Sequence, residues 1–295
     1  MSLRGRAGRA SEPGDCDTTA DQDDEEDVDD VDAVIVCDLD GVVWRGETPV
    51  PGAADAVAAL RDAGHRVAFL TNNSSLRTAD VVGKLARIGV AAEGTDVLSS
   101  AQAAAALLAA DVPAGARVLV CGGPGVEEAL RAVGYEPVAN DRELDRPVAA
   151  VVCGFHREFD FARLDRAAAA VRSGARFVAT NADATYPGED RVLPGAGSLV
   201  AAIATASGRT PEVAGKPEAP TAALVRARLG ADGIMVGDRP STDGALAARL
   251  GWPFAMVLSG IGGHDPAEPV PDPPPTWVAA DLADFVARLG VGRAP

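Results

Sequence analysis

Lysine is almost absent from this chain. Its 27 basic side chains are 25 arginines and two lysines, Lys84 and Lys216, so against such a preference for arginine a lysine at a chosen position stands out. Aromatic residues reach only 4% of 295, an ordinary globular composition that is poor in rings. No run of about 18 apolar residues occurs, which argues against a membrane-spanning helix and leaves no membrane partner expected. The three N-terminal arginines are followed by no apolar stretch, so a secretory signal is not expected either. Four cysteines, Cys16, Cys37, Cys121 and Cys153, form no CxxC pair and have no histidine at ligand spacing. Neither a zinc site nor a disulfide framework is indicated, and a reducing cytoplasm is the expected compartment. Cys37, beside Asp38, reads as a small core residue. His65, His156 and His264 share no ligand spacing, and no 20–50-residue period suggests a solenoid.

The formal charge of −16 argues against a nucleic-acid partner, but its distribution is uneven. Residues 1–32 hold 12 acidic and 3 basic side chains, so −9 lies there and −7 on the remaining chain. That stretch has too few apolar residues to offset its ordering entropy and is expected to be a disordered acidic tail.

From residue 33 onward, short β-branched runs alternate with alanine-rich helical stretches: "AVIVC", "PGAADAVAALRDAG", "HRVAFL", "SSLRTADVVGKLARIG". Such alternation predicts parallel strands joined by helical crossovers, an α/β fold. Pro51 is placed to open a helix, Gly64 to follow its end, and Ser74 or Ser75 to cap the next. A second α/β block follows residue 100, then a third that includes "GSLVAAIATASG", "GIMVGD" and "PFAMVLSG". The "CGGPG" at 121–125 lacks both G-x-G-x-x-G spacing and a P-loop lysine, so it reads as a turn. Lys84 falls at helical spacing and is expected on the surface.

Four strands end in polar groups: "VIVCDLDG" in Asp38, Asp40 and Gly41; "VAFLTNNSS" in Thr71, Asn72 and Asn73; "EVAGKP" in Lys216; "IMVGDRPSTDG" in Asp238 and Asp243. Ligands of open parallel sheets sit beyond the carboxyl ends of the strands, so these groups are expected to share one crevice. Carboxylates, a hydroxyl, amides and a lysine suit Mg²⁺ together with a phosphate. A carboxylate on a metal stays ionised while a near neighbour off the metal is pushed upward, so Asp38 can attack phosphorus while Asp40 protonates the leaving oxygen.

In their order these motifs resemble those of the haloacid dehalogenase-like hydrolases, and within them the NagD-like subfamily IIA, which includes glycerol-phosphate, pyridoxal-phosphate and nitrophenyl-phosphate phosphatases. The resemblance runs from about residue 33 to 289. It implies Asp38 as nucleophile, Asp40 as acid/base, and Thr71, Asn72, Asn73 and Lys216 on the phosphate. It also implies Mg²⁺ held by the Asp38 and Asp238 side chains and the Asp40 carbonyl, with Asp243 and Gly41 supporting the site without touching the ligand. "TNADATYPG" resembles the subfamily's return from its cap, with Asn181 and Tyr186 on the substrate side. Tyr186 stands where some pyridoxal-phosphate phosphatases carry a histidine, which weighs against that substrate.

Only 33 residues separate Asp38 from Thr71, while 145 separate Thr71 from Lys216, so the resemblance puts the cap in the second interval. The expected architecture is a Rossmann-like parallel-sheet core, residues 33–105 and 191–295, with an inserted α/β cap domain of the C2 type at 106–190. The implied function is Mg²⁺-dependent hydrolysis of a small phosphorylated metabolite: a glycerol 3-phosphate-like ester, a sugar phosphate or a nucleotide monophosphate. "LPGAGSLVAA" and "VAGKP" resemble actinobacterial glycerol-3-phosphate phosphatases, and the resemblance admits a homodimer through the cap. A phosphoryl mutase, a dehalogenase and a degenerate binding module are the competing readings. The short first interval disfavours a sugar mutase, and Asp40 would have no comparable role in a dehalogenase.

Overall fold

Continuous apolar runs build the first sheet. A computed structural model describes residues 33–187, 191–260, 270 and 272–291. The acidic residues 1–32, with Cys16, and also His264 lie outside the described residues. Six parallel strands lie in the order Trp277–Ala279, Phe254–Val257, Gly233–Gly237, Val34–Asp38, Val67–Thr71 and Val97–Ser99. The three central ones are buried at every residue, as a sheet covered on both faces requires. Alternate residues serve opposite faces. Ile35 and Cys37 join Leu60, Phe69 and Phe285 on one side, and Val34 and Val36 join Leu70, Val225 and Met235 on the other. Burial pushes the Cys37 thiol up to about 12, so it behaves as the small core residue the sequence suggested.

After Val34–Asp38 the chain moves outward to one side, then returns to its other flank with Gly233–Gly237. The strand order therefore reverses between these two strands, which opens a crevice at their carboxyl ends.

Between Val97–Ser99 and Gly233–Gly237 the chain forms a second parallel sheet, ordered Glu212–Val213, Arg176–Ala179, Ala150–Cys153, Arg117–Cys121, Glu136–Ala139. Elements on both sides of residues 106–190 also pack with this sheet. Helix Ser100–Ala109 packs Ala101, Ala104 and Leu108 against Val118 and Val152 of the second sheet. Helix Ala196–Ser207 places Val200 and Ile203 with Val151 and Phe177, and Glu212–Val213 is that sheet's edge. Both helices are so rich in small residues that no single apolar stripe announces which sheet they cover. Among the described residues, no helix is long and apolar enough to cross a membrane.

Helix Ala53–Asp62 follows Pro51 and ends just before Gly64, as expected. Helix Thr78–Arg87 starts later than the serines predicted. Ser75 instead donates its backbone N–H and its hydroxyl to the Asn73 Oδ1, and the Ser74 hydroxyl pairs with that of Thr180 at 2.8 Å. A two-stranded hairpin, Trp44–Arg45 with Thr48–Pro49, follows the central strand.

Candidate active site

Three of the four polar strand ends lie on the first sheet. Asp38 and Thr71 are the last residues of their strands, and Asp238 follows Gly233–Gly237 directly. Lys216 comes instead from beyond the second sheet's edge strand, Glu212–Val213, so the crevice is closed by both layers rather than by one sheet. Asn72 makes that join. Its Oδ1 accepts the Lys216 N–H at 2.8 Å, and its Nδ2 donates to the Lys216 carbonyl and to Asp183 Oδ2, both at 3.2 Å. Asn181 donates to the Asn72 carbonyl at 2.7 Å and accepts the Asp183 N–H at 3.1 Å. The side-chain amide of Asn72 is therefore occupied in fixing the Lys216 loop, and that of Asn181 in holding Asn72 and the Asp183 turn. A shared polar segment looks alike in sequence whether its amides hold a ligand or a neighbouring loop.

The electrostatics centre on Lys216, 4% exposed. Its Nζ donates to Asp38 Oδ1 at 2.7 Å and to Asp243 Oδ1 at 2.6 Å. Burial pulls its ammonium down, but the carboxylates of Asp243 and Asp38 together outweigh burial and hold it above its usual range. The Asp38 carboxyl is pushed well above the usual range by burial, with Lys216 opposing and Asp243 and Asp238 adding to the rise. Asp243 sits in the turn Pro240–Gly244, where its Oδ2 accepts the Arg239 N–H at 3.2 Å.

Asp38, Asp238 and Asp243 are all buried and offer one oxygen each, mutually within 4.8 Å. Three carboxylates brought this close together out of water are hard oxygen donors that fit a divalent cation such as Mg²⁺. The backbone is shaped around Asp238. A Cβ on Gly41, which has φ +95°, would lie 2.7 Å from the Asp238 Cγ, and one on Gly260 would overlap the same carboxylate. Gly41 is thus required by conformation and by close approach together.

Asp40, half-buried, lies just beyond the strand. Burial pushes its carboxyl up, opposed by the charge of Lys84 and by the Trp44 hydrogen bond. The Trp44 indole N–H donates to Asp40 Oδ1 at 3.0 Å. Thr71, buried, accepts the Asn73 N–H on Oγ1 at 3.0 Å, which leaves its own proton to donate elsewhere. A cavity of about 230 Å³ lies against Asp40, Trp44, Thr71 and Asn73, and Phe155 and Arg157 of the second layer form its far wall. Tyr186 lies on the strand Thr185–Pro187, paired with Leu193. Its side chain is outside the described part of the molecule.

Sequence reasoning missed two participants. Lys84 is 9% exposed rather than on the surface, and its rarity is the signal that could have found it. Arg157 reaches the cavity from a loop with no periodic signature. Trp44, just after the first motif, bonds Asp40.

Fold and charge pattern together define a class: an α/β enzyme with its site at the switch point of a parallel sheet, built for an anion beside a hard cation. The chain matches the model of the haloacid dehalogenase-like hydrolases over residues 35–136 and a related HAD-hydrolase-like model over 213–285. It is 42% identical over 252 residues to D-glycerol 3-phosphate phosphatase of Mycobacterium tuberculosis, covering 84% of this chain and 69% of that protein. It is 35% identical over 271 residues to chronophin of Rattus norvegicus, covering 87% of each. The structure of a glycerol phosphate phosphatase from Mycobacterium tuberculosis in complex with magnesium superposes with a TM-score of 0.76 at 38% identity, covering 86% of this chain and 76% of that one. The chain belongs to the haloacid dehalogenase-like hydrolases, in their NagD-like subfamily.

Proposed function

We propose that this protein is a Mg²⁺-dependent phosphatase that hydrolyses a small phosphomonoester through an aspartyl-phosphate. The observation that carries the reading is the buried group of Asp38, Asp238 and Asp243 around Lys216 at the strand-order reversal. Asp38, Asp238 and the Asp40 carbonyl would hold the cation, which supplies charge neutralisation to the transferring phosphoryl oxygens.

The chain's own groups do the rest. Lys216 holds one oxygen of Asp38 and bears on the phosphate, and Thr71 donates its free hydroxyl proton to a phosphate oxygen. Asp38 attacks phosphorus, and Asp40 gives its proton to the departing ester oxygen. Asp40, now ionised, then takes a proton from the water that attacks the phosphorus of the aspartyl-phosphate, as the bond from phosphorus to the Asp38 oxygen breaks and inorganic phosphate leaves. The raised Asp40 carboxyl suits a group that must give up and recover a proton.

The second layer, from about residue 100 to 213, acts as a cap. The cavity of about 230 Å³ beneath Phe155 and Arg157 suits a leaving group of a few heavy atoms. Glycerol 3-phosphate and related alkyl phosphates lead the candidate substrates, supported by the glycerol-phosphate phosphatases among the relatives. Tyr186 and Asn73 are the further substrate-side residues of this reading.

A panel of phosphate esters, followed by released inorganic phosphate with Mg²⁺ and then with EDTA, tests it. Release that the chelator abolishes is expected, and no release from any ester would refute the reading. Gly260→Ala places a methyl on the Asp238 carboxylate. It is expected to raise the Mg²⁺ concentration for half-maximal activity by about 10–100-fold, and an unchanged Mg²⁺ titration would count against Asp238 as a ligand.

A further inference from the structure

Lys84 has no part in the reaction as described, yet it is buried and fully engaged. It sits on helix Thr78–Arg87, and its three contacts all fall on the hairpin that follows Asp40. Its Nζ donates to the Gly46 carbonyl at 2.5 Å and to Glu47 Oε1 at 3.2 Å, and lies 4.3 Å from the centroid of the Trp44 ring. The indole of Trp44, 3% exposed, donates to Asp40 Oδ1. An ammonium can pair with a surface glutamate without leaving water, so Glu47 alone does not account for the burial. The ring does, because a cation over an indole face is attracted by the ring's charge distribution and also polarises its N–H.

From this chain of contacts we infer that Lys84 is a positioning residue for the general acid: it braces Trp44 so that the indole N–H fixes one oxygen of Asp40 and aims the other at the leaving oxygen. The inference rests on the phosphatase reading. In the step concerned, an Asp38 oxygen forms a bond to phosphorus as the bond from phosphorus to the ester oxygen breaks. The ester oxygen keeps that electron pair and takes the proton from Asp40, which is left as a carboxylate.

The hairpin does not need Lys84 to stay in place. Val42, Val43 and Trp44 are buried in the core of the first sheet, and the strands pair across Trp44 and Pro49. A purely structural lysine and a positioning lysine therefore predict different kinetics. An alkoxide leaves poorly without a proton, whereas nitrophenolate leaves without one. Moreover kcat/KM reports only on events up to loss of the leaving group, so it is blind to the later water step.

The test compares Lys84→Met, which keeps the stem but loses the charge, with the unsubstituted protein in Mg²⁺. The substrates are nitrophenyl phosphate and the alkyl phosphate that the unsubstituted protein hydrolyses fastest. Lys84→Met is expected to lose about tenfold or more in kcat/KM on the alkyl phosphate, a fraction of the full acid–base contribution, and less than about twofold on nitrophenyl phosphate. Trp44→Phe, which keeps a ring but not the N–H, should show the same pattern, and the double variant should be no worse than the worse single one. Lys84→Arg should recover part of the alkyl-phosphate activity. Equal losses on both esters would make Lys84 a structural residue and overturn the inference, as would no loss on either. Absence of turnover of both esters by the unsubstituted protein would overturn the phosphatase reading, and this inference with it.

Discussion

Asp38→Asn protein is expected to lose at least about 10⁴-fold in turnover and, without divalent metal, to unfold at a higher temperature than the unsubstituted protein. The first effect follows from the proposed chemistry: an amide oxygen at the end of the central strand cannot form the covalent intermediate. The second follows from the charges. Burial and the neighbouring Asp243 and Asp238 push the Asp38 carboxyl well above its usual range, with Lys216 only partly opposing. A carboxyl whose folded pKa is raised penalises the folded state in full above that pKa, and the penalty shrinks as pH falls from there towards the carboxyl's ordinary value. Asparagine removes the penalty at neutral pH, and Lys216 keeps its partner Asp243 at 2.6 Å. A gain of about 2–4 °C in midpoint per kcal/mol relieved is the scale for a chain of this size. Phosphate release and thermal unfolding in EDTA measure the two effects. Retained turnover would remove Asp38 from the nucleophile's position, and a lowered midpoint would show the carboxylate cluster to be unstrained.

Lys216→Met should also lose most activity but move stability the other way. The substitution keeps the stem of a side chain 3% exposed while stripping the cation from between Asp38 and Asp243. Breaking a buried pair from one side costs about 3–5 kcal/mol, because the remaining charge keeps its desolvation penalty, and two carboxylates are left here. Activity should fall by about 10³-fold, the scale of removing a preorganised charge from the transferring group. The stability deficit should shrink as pH is lowered, since protonating the raised Asp38 carboxyl removes the repulsion. It should also shrink when Mg²⁺ is added, because the metal supplies positive charge to the same oxygens. A deficit that ignores both pH and Mg²⁺ would mean that Lys216 serves packing rather than charge balance. Arginine is no substitute here, because its planar fork cannot replace a point charge between two carboxylates already at hydrogen-bonding distance.

How far the sequence reveals the site depends on where each group lies. Asp38, Thr71 and Asp238 are legible because each ends or directly follows a fully buried apolar run, and a polar residue there has few structural uses. Lys216 is legible as a lysine in a chain with only two, but not as a residue delivered from the second sheet, since a two-residue edge strand leaves almost no pattern. The limits of the second layer are faint in the sequence for a related reason: "SAQAAAALLA" and "AGSLVAAIATAS" are apolar on most faces and fit either sheet. That the Asn72 side-chain amide holds a loop 144 residues away is likewise invisible to local sequence. Trp44 and Lys84 meet through a contact spanning 40 positions, which no local periodicity encodes.

The central claim is that Asp38, and no other carboxylate of the crevice, becomes phosphorylated during turnover. Borohydride added to the protein during steady-state turnover of a phosphate ester with Mg²⁺ reduces an aspartyl-phosphate to homoserine, which peptide mass spectrometry locates. The account predicts homoserine at position 38 alone, absent when the ester is omitted. Homoserine at Asp40, Asp238 or Asp243, or turnover with aspartate 38 never modified, would contradict it.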